Sequence, residues 1–426
     1  MSTKIFPQNV SQKMACAALA LVLSATFAGS VPAGDLERVQ AKRIHDRLAG
    51  VPPSDTVLTA MEADIVGGNA NAAALKALAN PNFYRVTLKN FITPWTNEAQ
   101  TVFEPLNDYT ATVIGIIRDD IDFRTILYDN ILYTGNTAGL SPYSPSSNAH
   151  YKEMEDRGVN LMTDLVATTQ SSPATLNLPA GAAAGVLTSR AAAKAFFVDG
   201  TNRAMFRFTL LNHLCNDLEQ LKDPNYSPDR VRQDVSRSPG GDSRIYMNAC
   251  VGCHNGMDPM TQAFAYYDYT YPMNGNEPDY DAGQMVYTGG AVQPKYGINA
   301  NNFEHGYITS NDNWDNYWRT GSNSALGWDP ALPGKGRVAL GTNGAASMGQ
   351  ELAHSDAFAR CQVEKVFKTV CLRTPIDAAD RSQIDTMIST FRGDYKLKQV
   401  FADSAVFCMG SQKNRTRTII YLVAMP

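Results

Sequence analysis

Cys250, Cys253 and His254, in the run Cys250-Val251-Gly252-Cys253-His254, are the residues of this chain best suited to chemistry. Two thiols three residues apart, followed at once by an imidazole, form the C-x-x-C-H attachment signature of a c-type haem. The thiols add across the vinyl groups to give thioethers, and His254 is placed to ligate the iron. A haem fixed in this way makes one-electron chemistry the first reading. Two plainer readings are weaker. A thiol–disulfide C-x-x-C sits at a helix start in a βαβ pattern, and the preceding Arg244 to Ala249 shows no strand run. A structural zinc site needs a second C-x-x-C or an H-x3-5-H pair, and the sequence has neither. It also lacks G-x-S-x-G, a Walker loop, a Rossmann glycine fingerprint and H-E-x-x-H.

The iron's second axial position decides what such a haem does. A low-spin electron carrier fills it, whereas a haem enzyme of peroxidase or oxygenase type leaves it open. Met257 and Met260 follow His254 too closely to reach around a porphyrin, so packing is expected of them. Met348, in Ser347-Met348-Gly349, and His305, in Glu304-His305-Gly306, are far enough along the chain to reach the opposite face. They are the candidate distal ligands. Phe264, Tyr266, Tyr267, Trp314, Trp318 and Trp328 could wall a buried cofactor or simply form core. Arg203 and Arg207, one turn apart, could meet propionates or a solvated face.

Residues 1–33 have the layout of a secretory signal peptide, with Lys4 and Lys13 ahead of an apolar run from Met14 to Ala28. That run is too short and too rich in small residues for a stable membrane span. Haem c is attached after export, so leader and motif agree on a bacterial periplasmic, secreted or cell-surface address. Cys16 leaves with the leader, and Cys215, Cys361, Cys371 and Cys408 remain for two disulfides in an oxidising compartment. All three pairings are open. Cys361 with Cys371 is disfavoured, because one unbroken helix would hold them about 15 Å apart. The chain has 37 Lys and Arg against 41 Asp and Glu, a net −4 that becomes −6 without Lys4 and Lys13. That balance argues against nucleic acid as a partner and is compatible with a basic redox partner protein.

The elements that must position the motif read as mainly α. The expected division is a helical region over 34–240 and a helical, cytochrome c-like region over 241–426 containing a long irregular lobe. Amphipathic spacing predicts helices over Asp35–Leu48, from Ser54-Asp55 through Ile65, and over Asn71–Leu78, Glu98–Asp119, Phe123–Leu132, Leu187–Phe197 and Arg203–Leu221. Asp258-Pro259 reads as an N-cap with proline at the first helical position, so a new helix is expected there, running through Tyr267. Asp268 to Lys335 is polar, aromatic and rich in Gly and Asn, and reads as a lobe. Helices return over Ala345–Val370, Asp377–Phe391 and Leu397–Met409.

The segment Cys250 to Pro259, followed by Ala263-Phe264-Ala265-Tyr266-Tyr267-Asp268, resembles the haem region of secreted, planctomycete-type cytochrome-like proteins. These are largely domains of unknown function that carry C-x-x-C-H, then Met-Asp-Pro, then a helix ending in an aromatic-Asp pair. Arg43 to Pro53 resembles their Leu-Thr-Gly-x-Pro-Pro turn, with Ala49 in place of Thr. Leu352 to Cys361 and Phe367 to Arg373 resemble their closing helical module. The resemblance implies a largely helical, exported mono-haem protein, with another secreted protein as a plausible partner. It supplies no substrate. The leading expectation is an exported electron-transfer cytochrome. A haem enzyme, or a binding or assembly protein with a structural haem, is the alternative, because about 100 residues suffice to wrap one haem.

Overall fold

The structure, a computed structural model, describes residues 35–198, 200–335 and 344–410. The expected leader, 1–33, lies outside them. Helices take 56% of the structure and strands 7%, so the mainly α class holds. No helix among the described residues is long and apolar enough to cross a membrane.

Local signals explain the first elements. α1 (Asp35–Ala49) buries Ile44 and Leu48 and stops at Gly50, whose φ of 69° favours glycine. Ser54 caps α2 (Asp55–Val66) by accepting from Val57 N, and Asn69 caps α3 (Ala70–Leu78) by accepting from Ala72 N. The helix expected over Glu98–Asp119 starts only at Asp108, as α4 (Asp108–Arg118). Pro105 turns the chain away from helix, and Asn107 caps the new start. The helix expected over Phe123–Leu132 is a 3₁₀ stretch, Phe123–Leu127, before β1 (Leu132–Gly135). After α5 (Ala149–Asp156), β1 pairs antiparallel with β2 (Leu165–Thr168).

Beyond α6 (Arg190–Phe196), the single helix expected over Arg203–Leu221 is broken. α7 (Arg203–Thr209) runs into a π-turn, Leu210–Leu214, which ends at Cys215 with φ 56°. α8 (Leu218–Leu221) restarts behind an Asp217–Gln220 capping box. This break aims Cys215 at Cys361. The motif helix, α9 (Val251–Thr261), leads into the lobe. There β3 (Tyr267–Thr270) pairs with β6 (Gln284–Tyr287), and β4 (Met273–Asn274) with β5 (Glu277–Pro278), among 3₁₀ turns. The helix expected over Ala345–Val370 is two, α10 (Gly344–Ala353) and α11 (Asp356–Cys371), because Ser355 caps the second. α12 (Ala378–Asp394) and α13 (Leu397–Cys408) follow as expected.

One apolar core runs from Ala41 on α1 to Ala405 on α13, so the regions expected on either side of residue 240 share it. The Cys215–Cys361 disulfide joins them, and Cys371–Cys408 ties α11 to α13. Two disulfides therefore form, and Cys361 and Cys371 sit on one helix without pairing.

Candidate functional site

The C-x-x-C-H run lies inside a helix, contrary to the expected restart at Asp258-Pro259. The chain is helical from Ser243, passes through a π-turn at Tyr246–Cys250, and continues as α9 with Pro259 in its interior. Tertiary contacts override the local start signal. Asn255 Nδ2 donates to the carbonyls of Asp223 (2.8 Å) and Tyr226 (3.1 Å), and Asn202 Nδ2 donates to those of Phe264 and Tyr267. Trp318 packs flush against Gly256. Asp258 is therefore free of capping and turns towards His254 on the previous turn.

Helical spacing sets the geometry. Cys250, Cys253 and His254 stand at positions i, i+3 and i+4, so two thiols and an imidazole share one face. Both cysteines are free and half-buried. Cys253 Sγ lies 3.7 Å from the Leu218 carbonyl, and burial pushes its thiol above the usual range. His254 is 20% exposed, with Nδ1 3.2 Å from each Asp258 oxygen. Nε2 has no hydrogen-bond partner among the described residues.

Asp258 is wholly buried. Its carboxylate accepts from Arg203 Nε (2.7 Å) and Nη2 (3.0 Å), and from the Arg232 backbone N–H at 3.3 Å. Burial alone would raise its pKa; the charge of Arg203, with His254 and Arg232, overcomes that and holds the group well below the usual carboxylate range. Arg203 also grips Asp234, at 2.5 and 2.9 Å, and Arg207 grips Asp217, at 2.8 and 2.7 Å. Both arginines, which could have met propionates or a solvated face, are thus engaged by carboxylates.

A different cation stands beside the motif. Cys250 packs on a small cluster of Val231, Val235, Tyr246 and Val251. Arg237 lies 5.1 Å from the Tyr246 ring and 4.4 Å from that of Phe303. Its guanidinium donates to the carbonyls of Val235 (2.6 Å), Val231 (2.8 Å) and Arg232 (3.3 Å), with no carboxylate partner among the described residues. The Tyr246 hydroxyl is buried without a hydrogen-bond partner among the described residues. Ile245 and Met247, on the turns just before Cys250, are exposed. Sequence reasoning missed Tyr246, Arg237 and Asp258. Only Asp258 carried a signal, its four-residue spacing from His254.

The two distal candidates have opposite surroundings. Met348 is completely buried on α10. That helix begins against Ala263, at the far end of the motif helix and about 14 Å along it from His254. His305 is 79% exposed. Its ring lies 5.8 Å from Phe303, on a segment bonded to the 231–233 backbone through Phe303 N and Tyr307 N. Phe303 meets Arg237, Arg237 meets Tyr246, and Tyr246 packs beside Cys250, so a run of contacts links His305 to the motif. Of the aromatic residues that could wall a cofactor or form core, Phe264, Tyr267, Trp314 and Trp318 are core, Tyr266 is buried and Trp328 half-buried. Tyr267 stacks on Phe197, Trp318 packs on Phe206, and Trp314 Nε1 donates to Ser347 Oγ. Met257 and Met260 are core too.

Among the described residues no three His, Cys, Asp or Glu side chains converge to hold a bare metal ion. Clefts of about 1100 Å³ beside Trp95 and Lys365, and about 780 Å³ beside Cys215–Cys361, are lined by other elements. Compared with known proteins, the chain matches no family model, no curated protein and no solved structure.

Proposed function

We propose that this protein is an exported mono-haem c-type cytochrome that transfers single electrons, akin to the secreted planctomycete-type proteins its motif resembles. The observation that carries the reading is the shared helical face of Cys250, Cys253 and His254, with His254 Nε2 unpartnered and Nδ1 bonded to Asp258. A bare-ion site needs a further converging donor, and thiol–disulfide exchange would use the imidazole only to activate a thiol, not as a ligand. A haem uses all three groups.

The surroundings fit that group. Among the described residues the buried Tyr246 hydroxyl lacks an acceptor and Arg237 lacks a counter-charge, and the carboxylates of a bound haem would be suited to supply either. Ile245 and Met247 offer apolar surface for a porphyrin edge. When bound, the haem supplies a one-electron iron couple. The chain's own part is to hold it through Cys250 and Cys253, present His254 Nε2 to the iron, and keep the edge near solvent for a redox partner protein. His305 is the distal ligand that this reading carries forward, and Met348 is assigned to packing. Haem attachment after export places the protein in the bacterial periplasm or at the cell surface, where its two disulfides persist.

The test is an optical spectrum of protein made in a host competent in cytochrome maturation. The reading expects a haem that survives acid–acetone washing, reduces fully, and binds carbon monoxide poorly until His305 is replaced by Ala. Prompt carbon monoxide binding by the unaltered protein moves the assignment to a haem enzyme with an open face. Washed protein without haem refutes the proposal.

A further inference from the structure

Asp258 has a position that covalent attachment does not require. Its carboxylate meets His254 Nδ1 with both oxygens at 3.2 Å. It cannot swing away, because Arg203 holds each oxygen, at 2.7 and 3.0 Å, and the Arg232 N–H adds a third contact at 3.3 Å. Arg203 is itself fixed by Asp234 on its other side. The result is a rigid chain of side chains, Asp234–Arg203–Asp258–His254, ending on the one imidazole of the motif.

A neutral imidazole carries a single N–H. With Nδ1 facing a carboxylate, that hydrogen sits on Nδ1 and the lone pair on Nε2, the nitrogen without a partner among the described residues. A carboxylate acceptor draws on the N–H more strongly than a neutral carbonyl does and makes the imidazole a more basic ligand. A more basic ligand favours the higher charge state of the metal. Resting on the haem reading above, we infer that Asp258 is a positioning residue that fixes the His254 tautomer and biases the bound iron towards the ferric state. Asp234, one guanidinium further away, lacks contact with His254 and serves as the internal comparison.

The experiment is potentiometric titration of the haem-loaded wild type, Asp258→Asn and Asp234→Asn, with haem content measured on each. Asp258→Asn is expected to keep its covalent haem and shift the ferric–ferrous equilibrium at least tenfold towards ferrous, about 59 mV upward for one electron. Asp234→Asn is expected to shift it less than threefold. Should Asp258→Asn not accumulate as folded protein, Arg203→Lys decides the question. Its single-pronged grip leaves more carboxylate charge on His254, so the expected shift is about threefold in the ferric direction. An unchanged equilibrium in Asp258→Asn, equal shifts in both aspartate variants, or a ferrous shift in Arg203→Lys overturns the inference and leaves the haem reading standing. A wild type without covalent haem overturns both.

Discussion

Removing the disulfides tests the shared core and the haem linkage together. Cys215–Cys361 closes a loop of 146 residues and Cys371–Cys408 one of 37. The chain-entropy relation converts these lengths into about 5 and about 4 kcal/mol of stabilisation, acting mainly through the unfolded chain. The loops do not overlap, so the two terms add, and their sum of about 9 kcal/mol rivals the whole stability of an ordinary domain. C215A/C361A and C371A/C408A should each fold and lose roughly those amounts in urea titrations followed by far-UV circular dichroism. The quadruple variant should be largely unfolded. Because one core spans both sides of residue 240, each titration should show a single transition. Thioethers are not reduced by dithiothreitol, so reductant should lower the midpoint of the wild type while the haem stays on the chain. Losses under about 1 kcal/mol, or two separate transitions, refute the reasoning.

Further outcomes follow from single side chains. His213, buried with Nε2 2.8 Å from the Tyr109 hydroxyl, is held well below its usual 6.5 by burial and then by Lys365. Below that value the unfolded chain takes up a proton that the folded one refuses. Stability should therefore fall with pH by up to about 1.4 kcal/mol per unit, and His213→Gln should flatten that slope in urea titrations from pH 7 to 5. Gly256→Ala would drive a methyl group into the Trp318 ring, costing about 1–3 kcal/mol against a helix-propensity gain of about 1. Gly252→Ala, whose nearest neighbour would be 3.4 Å away, should cost nothing in the same titration. Met348→Ala should lose about 2–5 kcal/mol with an unchanged absorption spectrum. His305→Ala should stay within about 0.5 kcal/mol while its spectrum changes.

What the sequence disclosed depended on how local the cause was. α1 to α3 were readable to within a residue or two, because Gly50, Ser54 and Asn69 act through their own neighbours. The motif helix was not. Asp258-Pro259 is a sound start signal that loses to Asn255, Asn202 and Trp318, whose partners lie 29 to 65 residues away in sequence. Reading Asp258 as a cap also hid its pairing with His254. Arg203's grip on it spans 55 residues and leaves no local trace. The cysteine count suited two disulfides, and helix length disfavoured one pairing. Choosing between the remaining two needed the break at Cys215. Met348 and His305 were both admissible ligands as residue types, and burial and position separate them.

The account stands on a covalent link at one helical turn. Mass spectrometry of the tryptic peptide Ile245–Lys295, from protein matured in a cytochrome-competent host, reads that link directly. The account predicts one haem adduct on this peptide, with no free thiol at Cys250 or Cys253. The same peptide recovered with both thiols alkylatable, or joined as a disulfide, would contradict it.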